Sequence, residues 1–157
     1  MTAELGDLYQ EVILEHSKAP RNFRRPAAAN HEAEGYNPLC GDRCSVYIEM
    51  DGEAIKEIGF QGSGCAISRA SSSMMTQMVK GKTKAEAAKL FEQFHQLVTG
   101  KDEAARADEL GKMAVFAGVS KFPARVKCAT LAWHTMQSAL EHNKKPEPVS
   151  TESAREL

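Results

Sequence analysis

Apolar residues recur along the chain with two different periods, and the change of period marks the elements. Leu5, Leu8, Tyr9, Val12 and Ile13 fall at i, i+3, i+4, i+7 and i+8, the stripe of a helix that buries one face. Thr2 can cap that helix, and Pro20 ends it near Lys18. Residues 19–37 show no period, and Pro20, Pro26 and Pro38 punctuate them, so an irregular stretch is expected there. Val46, Ile48 and Met50 then alternate with Ser45, Tyr47 and Glu49, which is the period of a strand. Asp51-Gly52 signals a tight hairpin, and Ile55 to Phe60 reads as the returning strand.

The helical period resumes after Cys65. Ile67 to Val79 is rich in Ala, Ser and Met and is stopped by Gly81. Thr83 and Glu86 fit a capping box ahead of a stripe of Ala87, Leu90, Phe91, Phe94, Leu97 and Val98. Lys101 to Lys112 is charged and bracketed by Gly100 and Gly111; a short polar helix and a mobile excursion both fit it. Met113, Val115, Phe116 and Val119 suggest a brief buried segment before Pro123. Val126, Ala129, Trp133, Met136 and Leu140 then line the last helix. The expected fold class is α+β, a small antiparallel sheet with helices packed on one side. Residues 1–143 are expected to form a single domain, with 144–157 a polar tail too poor in apolar residues to fold.

Composition narrows the function classes. The 157 residues carry 20 basic and 21 acidic side chains, so the basic excess of a general nucleic-acid binder is missing. Aromatics make up 6%, too few for base-stacking platforms. No apolar run approaches the length of a membrane span, and the acidic start Met1 to Asp7 has no signal-like apolar core. These features predict a soluble, cytoplasmic protein.

Cys40, Cys44, Cys65 and Cys128 are therefore read as free, metal-binding or reactive thiols rather than disulfides. Cys40 lies in the turn-rich Asn37-Pro38-Leu39-Cys40-Gly41-Asp42, and Cys65 follows Gly62-Ser63-Gly64, where backbone can approach a bound centre closely. Cys128 follows Arg125-Val126-Lys127. Strand side chains repeat every two residues, so Cys40 and Asp42 share a side, and the hairpin returns Cys65 to them. Cys128 would join from the first turn of the last helix. Cys40, Asp42, Cys65 and Cys128 could thus supply the four ligands of a tetrahedral zinc. Three thiolates and a carboxylate on a divalent ion leave a charge of about −2, which Arg43, Arg125 and Lys127 could offset. A structural zinc more naturally uses four soft ligands in Cys-x-x-Cys pairs, so the single carboxylate points to one exchangeable position. A transfer site, a purely structural zinc and unrelated thiols all stay open on spacing alone.

Several stretches together carry a resemblance. Leu8 to His16, Pro20-Arg21-Asn22, Asn37-Pro38-x-Cys40-Gly41-Asp42, Gly62-x-Gly64-Cys65-x-Ile67-Ser68 and Lys121 to Leu131 with Lys127-Cys128 resemble the U-type iron–sulfur cluster assembly proteins. Within that SufU/IscU/NifU N-terminal family they are most similar to the SufU branch, from Leu5 to Leu140. The resemblance implies a SufE/NifU-like fold and zinc held by Cys40, Asp42, Cys65 and Cys128. It implies a partner, a PLP-dependent cysteine desulfurase of the SUF type, and a downstream Fe–S assembly complex. A histidine of the desulfurase would displace one cysteine from zinc, and Cys40 is the implied sulfur acceptor. Any sulfurtransferase activity would then be expressed only together with the desulfurase. The scaffold branch carries histidine immediately before its last cysteine, and this chain has Lys127 there. The alternatives are a scaffold holding an Fe–S cluster or iron at the same residues, and a zinc-stabilised interaction module.

Other residues receive plainer readings. Cys44 has the parity of Asp42 but lies a further ~6–7 Å along a strand, so it is expected as a small buried hydrophobe. His16 and His134 read as helix-surface or packing residues, and Met74, Met75 and Met78 as core rather than a docking surface. Arg125, three residues before Cys128, either tunes the site, contacts the partner or is a solvated cation.

Overall fold

A computed structural model describes residues 11–101, 110–142 and 147–151. The chain runs α1 (Glu11–Lys18), β1 (His31–Asn37), β2 (Asp42–Asp51), β3 (Ala54–Ser63), α2 (Ala66–Val79), α3 (Lys84–Val98), a 3-10 helix (Gly111–Lys121), α4 (Pro123–Glu141) and β4 (Val149–Ser150). The strands form one mixed sheet in the order β3-β2-β1-β4, with β1 antiparallel to β2, β2 antiparallel to β3, and β4 parallel to β1. The expected α+β class with helices on one side of the sheet is the observed one, extended by a parallel strand. The first turns of the opening helix lie outside the described residues. No helix among them is long and apolar enough to cross a membrane.

The β2–β3 hairpin follows the alternation of its sequence: Cys44, Val46, Ile48 and Met50 are buried on one face, and the residues between them are more exposed. α4 lies across the buried face of β1 and β2, and α2 packs between α1 and α4. α2 buries Ser68, Ser71, Ser72, Ser73 and Thr76 beside its apolar residues, small hydroxylated side chains that let helices approach closely. Four of these hydroxyls have hydrogen-bond partners, among them Ser71, which donates to the Ala129 carbonyl of α4 at 2.6 Å, and Ser72, which donates to the Ser68 carbonyl at 2.8 Å. Trp133 is fully buried and stacks on Phe94 at 4.9 Å, tying α3 to α4. The Thr83–Glu86 capping box forms as expected, with both reciprocal bonds present.

Three expectations are corrected. Residues 31–37 form β1 rather than an irregular stretch. Its inward positions are Ala33, Gly35 and Asn37, too small or too polar to register as a hydrophobic alternation, because α4 passes close over them. A Cβ at Gly35 would collide with Thr135 Oγ1 and sit 3.1 Å from Leu131 Cδ1. Second, Gly111–Lys121 is a 3-10 helix in which Met113, Phe116 and Val119 are buried, at the three-residue period of that helix, whereas Val115 is only half-buried. Residues 102–109, within the undecided Lys101 to Lys112 stretch, lie outside the described residues. Third, the segment after Asn143 was expected to be unfolded, yet Val149–Ser150 extends the sheet and Thr151 is buried. Main-chain pairing, which needs no apolar composition, seats it. The rest of the expected 144–157 tail, apart from 147–151, lies outside the described residues.

Candidate metal and sulfur centre

Four elements deliver the candidate side chains to one end of the sheet. Cys40 sits in the turn between β1 and β2, closed by the Gly41 N–H donating to the Asn37 carbonyl at 2.8 Å. Asp42 is the first residue of β2 and is 1% exposed. Cys65 follows the end of β3 and is the N-cap of α2, its sulfur accepting the Ser68 N–H at 3.5 Å. Cys128 lies in the second turn of α4 and is fully buried. Cys40 alone of these sulfurs is exposed.

One donor atom each from Cys40, Asp42 and Cys128 lies within 4.8 Å of the other two. Cys128 Sγ is 3.6 Å from Cys40 Sγ. Cys65 joins from the side of the carboxylate: its Sγ is 3.8 Å from Asp42 Oδ2, and its N–H donates to Asp42 Oδ1 at 3.0 Å. A tetrahedron with metal–sulfur bonds of ~2.3 Å and metal–oxygen bonds of ~2.0–2.2 Å has edges of about 3.4–3.8 Å. These two separations match such edges, and Cys40, Asp42 and Cys128 are donors of the kind zinc takes. Cys65 Sγ lies beside Asp42 but outside the group of donors that are all within 4.8 Å of one another, so the structure gathers three of the four expected ligands and leaves the fourth at its edge. Gly64 is what allows the approach, since a Cβ there would sit 2.8 Å from Asp42 Oδ1.

The sulfurs are electrostatically unequal. A hydrogen bond from Cys128 holds the Cys65 thiol well below its ordinary pKa, and the Ser68 and Ile67 amides at the start of α2 add to this against the cost of burial. Cys128 is pushed strongly the other way, as the donor in that bond, by burial, and by the negative charges of Cys65 and Asp42. Cys44 stands apart from the cluster: it is 3% exposed, lies 3.9 Å from Ser72 Oγ, and burial raises its pKa to about 12. That is the behaviour of a core residue.

Arg125 is half-buried at the third position of α4, one turn before Cys128. His16 is buried against Ser73 Oγ at 2.7 Å, and the His134 ring packs edge-on against Phe91 at 4.8 Å. Met74 and Met75 are buried in the core, and Met78 packs against it half-buried. Asn37 was not singled out in the sequence, although it opens the motif containing Cys40. It is fully buried and its Nδ2 lies 3.7 Å from Cys128 Sγ.

A thiolate and carboxylate cluster assembled at the end of a helix-backed mixed sheet is the donor chemistry of a small metal- or sulfur-handling protein. Comparison makes the class specific: the chain belongs to the NifU-like N terminal domain family, whose profile matches residues 8–145. It is 41% identical over 138 residues to the zinc-dependent sulfurtransferase SufU of Bacillus subtilis (strain 168), covering 88% of this chain and 92% of that one. It is 38% identical over 154 residues to the iron–sulfur cluster assembly scaffold protein IscU of Streptococcus pyogenes serotype M1, covering 98% and 96%. Among solved structures, the putative iron–sulfur cluster assembly scaffold protein for the SUF system from Fervidobacterium islandicum AW-1 matches with a TM-score of 0.79 at 35% identity, covering 87% of this chain and 99% of that one.

Proposed function

We propose that this protein is a zinc-dependent sulfur acceptor that takes persulfide sulfur from a PLP-dependent cysteine desulfurase of the SUF type and hands it on to iron–sulfur cluster assembly in the cytoplasm. The observation that carries the reading is the contrast within the cluster. Cys40 is exposed in a turn, while Asp42 and Cys128 are buried on regular elements only 4.8 Å or less away. Zinc would be held by Cys40, Asp42, Cys65 and Cys128, and when bound it would keep the sulfurs as thiolates at neutral pH.

Cys40 is the acceptor because a partner's persulfide can reach it. The Cys40 thiolate attacks the outer sulfur of the persulfide; a new S–S bond forms, the partner's S–S bond breaks, and the partner's cysteine leaves as thiolate. Asp42 and Cys65 stay linked to each other through the Cys65 N–H, so the acceptor can move while its neighbours are held. In this reading Arg125, one turn before Cys128 on α4, would offset the cluster's negative charge or contact the partner.

The test is the rate at which a SUF desulfurase converts cysteine to alanine, with and without this protein and a chelator. Stimulation is expected with the zinc-loaded protein, and its loss with Cys40→Ala or with chelator. Stimulation that survives in a zinc-binding Cys40→Ala variant would refute the reading and leave a zinc-stabilised interaction module. The scaffold name of the relative from Streptococcus pyogenes supports a second reading, that a cluster is built at the same residues. Anaerobic reconstitution yielding a stable, transferable cluster would favour it.

A further inference from the structure

Asn37 and Thr151, 114 positions apart, meet behind the cluster. Asn37 is the last residue of β1 and fully buried, so its amide has to place both donors and acceptors inside the protein. Its Oδ1 accepts the Leu39 N–H at 3.2 Å and the Thr151 hydroxyl at 3.2 Å. A backbone N–H can only donate, so the Leu39 bond identifies that end of the amide as oxygen. The NH2 end is thereby turned onto Cys128 Sγ, at 3.7 Å. The same residue's carbonyl closes the turn that carries Cys40.

Thr151 is itself held. It follows β4, which pairs with Gly35 and Tyr36 of β1, and its N–H donates to the Tyr36 carbonyl at 3.1 Å. At 1% exposed, its hydroxyl has little alternative to Asn37. From these contacts we infer that Asn37 is a positioning residue for the Cys128 sulfur and the Cys40 turn, and that Thr151, delivered by β4, locks its amide in the working orientation. Residues 149–151 are then part of the sulfur centre. The inference rests on the proposed zinc and sulfur chemistry only for its consequence in metal retention; the hydrogen-bond chain itself involves protein groups alone.

Two substitutions in the full chain test it. Thr151→Val keeps the volume and removes the hydroxyl, and Thr151→Ser keeps the hydroxyl. Two readouts apply: the rate of zinc transfer to a chromophoric chelator, and residue-resolved alkylation of the metal-free protein by mass spectrometry, with Cys65 as internal reference. Loss of one hydrogen bond corresponds to about a threefold to tenfold change. Thr151→Val is expected to speed both zinc release and Cys128 alkylation by that factor with Cys65 alkylation unchanged, and Thr151→Ser to stay within about twofold of the wild type.

An unchanged Cys128 in Thr151→Val, equal acceleration at Cys65 and Cys128, or a Thr151→Ser protein that behaves like Thr151→Val would each overturn the inference. Equal acceleration would mean general loosening, as would failure of Thr151→Val to fold while Thr151→Ser matches it. If the wild type holds no zinc, the proposed function fails, and the alkylation arm still decides this inference.

Discussion

Gly64→Ala isolates the geometry of the cluster from the stability of the fold. The added Cβ would lie 2.8 Å from Asp42 Oδ1, 3.1 Å from its Cγ and 3.2 Å from Ser68 Oγ, where ordinary contact begins at 3.4 Å. Relief at Oδ1 requires roughly 0.6 Å of movement, against a tolerance of about 0.2 Å in metal–ligand distances. Asp42 is short and anchored at the start of β2, so the carboxylate can yield only by rotating, which breaks its bond from the Cys65 N–H. A hydrogen bond to a charged group contributes about 1.5–3 kcal/mol, equivalent to roughly tenfold to a hundredfold in zinc affinity if that energy is lost from the bound state. The assay is zinc competition against a chelator of known affinity, alongside a thermal melt. Gly81→Ala is the control: its φ of +84° strains an added side chain, yet no atom lies within 4 Å of the added Cβ and the residue sits at the far end of α2. It is expected to lower the melting temperature and leave zinc affinity alone. A Gly64→Ala protein that binds zinc as tightly as the wild type would refute the role given to Asp42.

Two further outcomes follow from packing and charge. Gly35→Ala drives a methyl group into Thr135 Oγ1 on α4 and is expected to cost about 1–3 kcal/mol, or a fall of roughly 2–10 °C in melting temperature. Adding Thr135→Ala should recover part of that loss, and a double variant no better than Gly35→Ala alone would contradict the close-approach explanation. His16 has its pKa lowered from 6.5 mainly by burial, aided by the Arg21 and Lys112 cations and opposed by Glu15. A folded-state pKa below the unfolded one means that the unfolded chain binds the proton more tightly; the contribution of His16 is complete above about pH 6.5 and is lost as pH falls below it. Urea unfolding at pH 5.5 and 7.5 should show a smaller pH difference in His16→Gln than in the wild type; an equal or larger one would assign the effect elsewhere.

How far the sequence was readable depends on where the information sits. The β2–β3 hairpin could be read because Val46, Ile48 and Met50 alternate locally, and its closure alone brings residue 42 beside residue 65. The thiols and the carboxylate stood out because few other residue types carry that chemistry. β1 was hidden because its inward face is defined by what α4 tolerates, which is an Ala, a Gly and an Asn rather than large apolar groups. The 3-10 helix did leave a trace, the buried series Leu110, Met113, Phe116 and Val119 at steps of three, but that period belongs neither to an α-helix nor to a strand. β4 and the Thr151–Asn37 bond left none. A two-residue strand is held by main-chain bonds, and a contact spanning 114 positions has no local pattern.

Cys44 shows why parity alone does not define a ligand. It lies on the same face of β2 as Asp42, yet it is buried in the core, because two strand residues span ~6–7 Å and carry it out of reach of the turn. The candidate ligands each occupy an end or a junction instead: a turn for Cys40, a strand start for Asp42, a helix cap for Cys65, and an early helical turn for Cys128. Because no two of them share a regular element, an ion held by all four would link the hairpin to α2 and α4, and its binding energy would add to the stability of the fold. Losing Cys40 from that set would remove a donor carried by an exposed turn and leave three on regular elements or at their caps. On the proposed function this division would let one sulfur react while the framework holds the others, so zinc removal should lower the melting temperature more than Cys40→Ala does in the zinc-loaded protein.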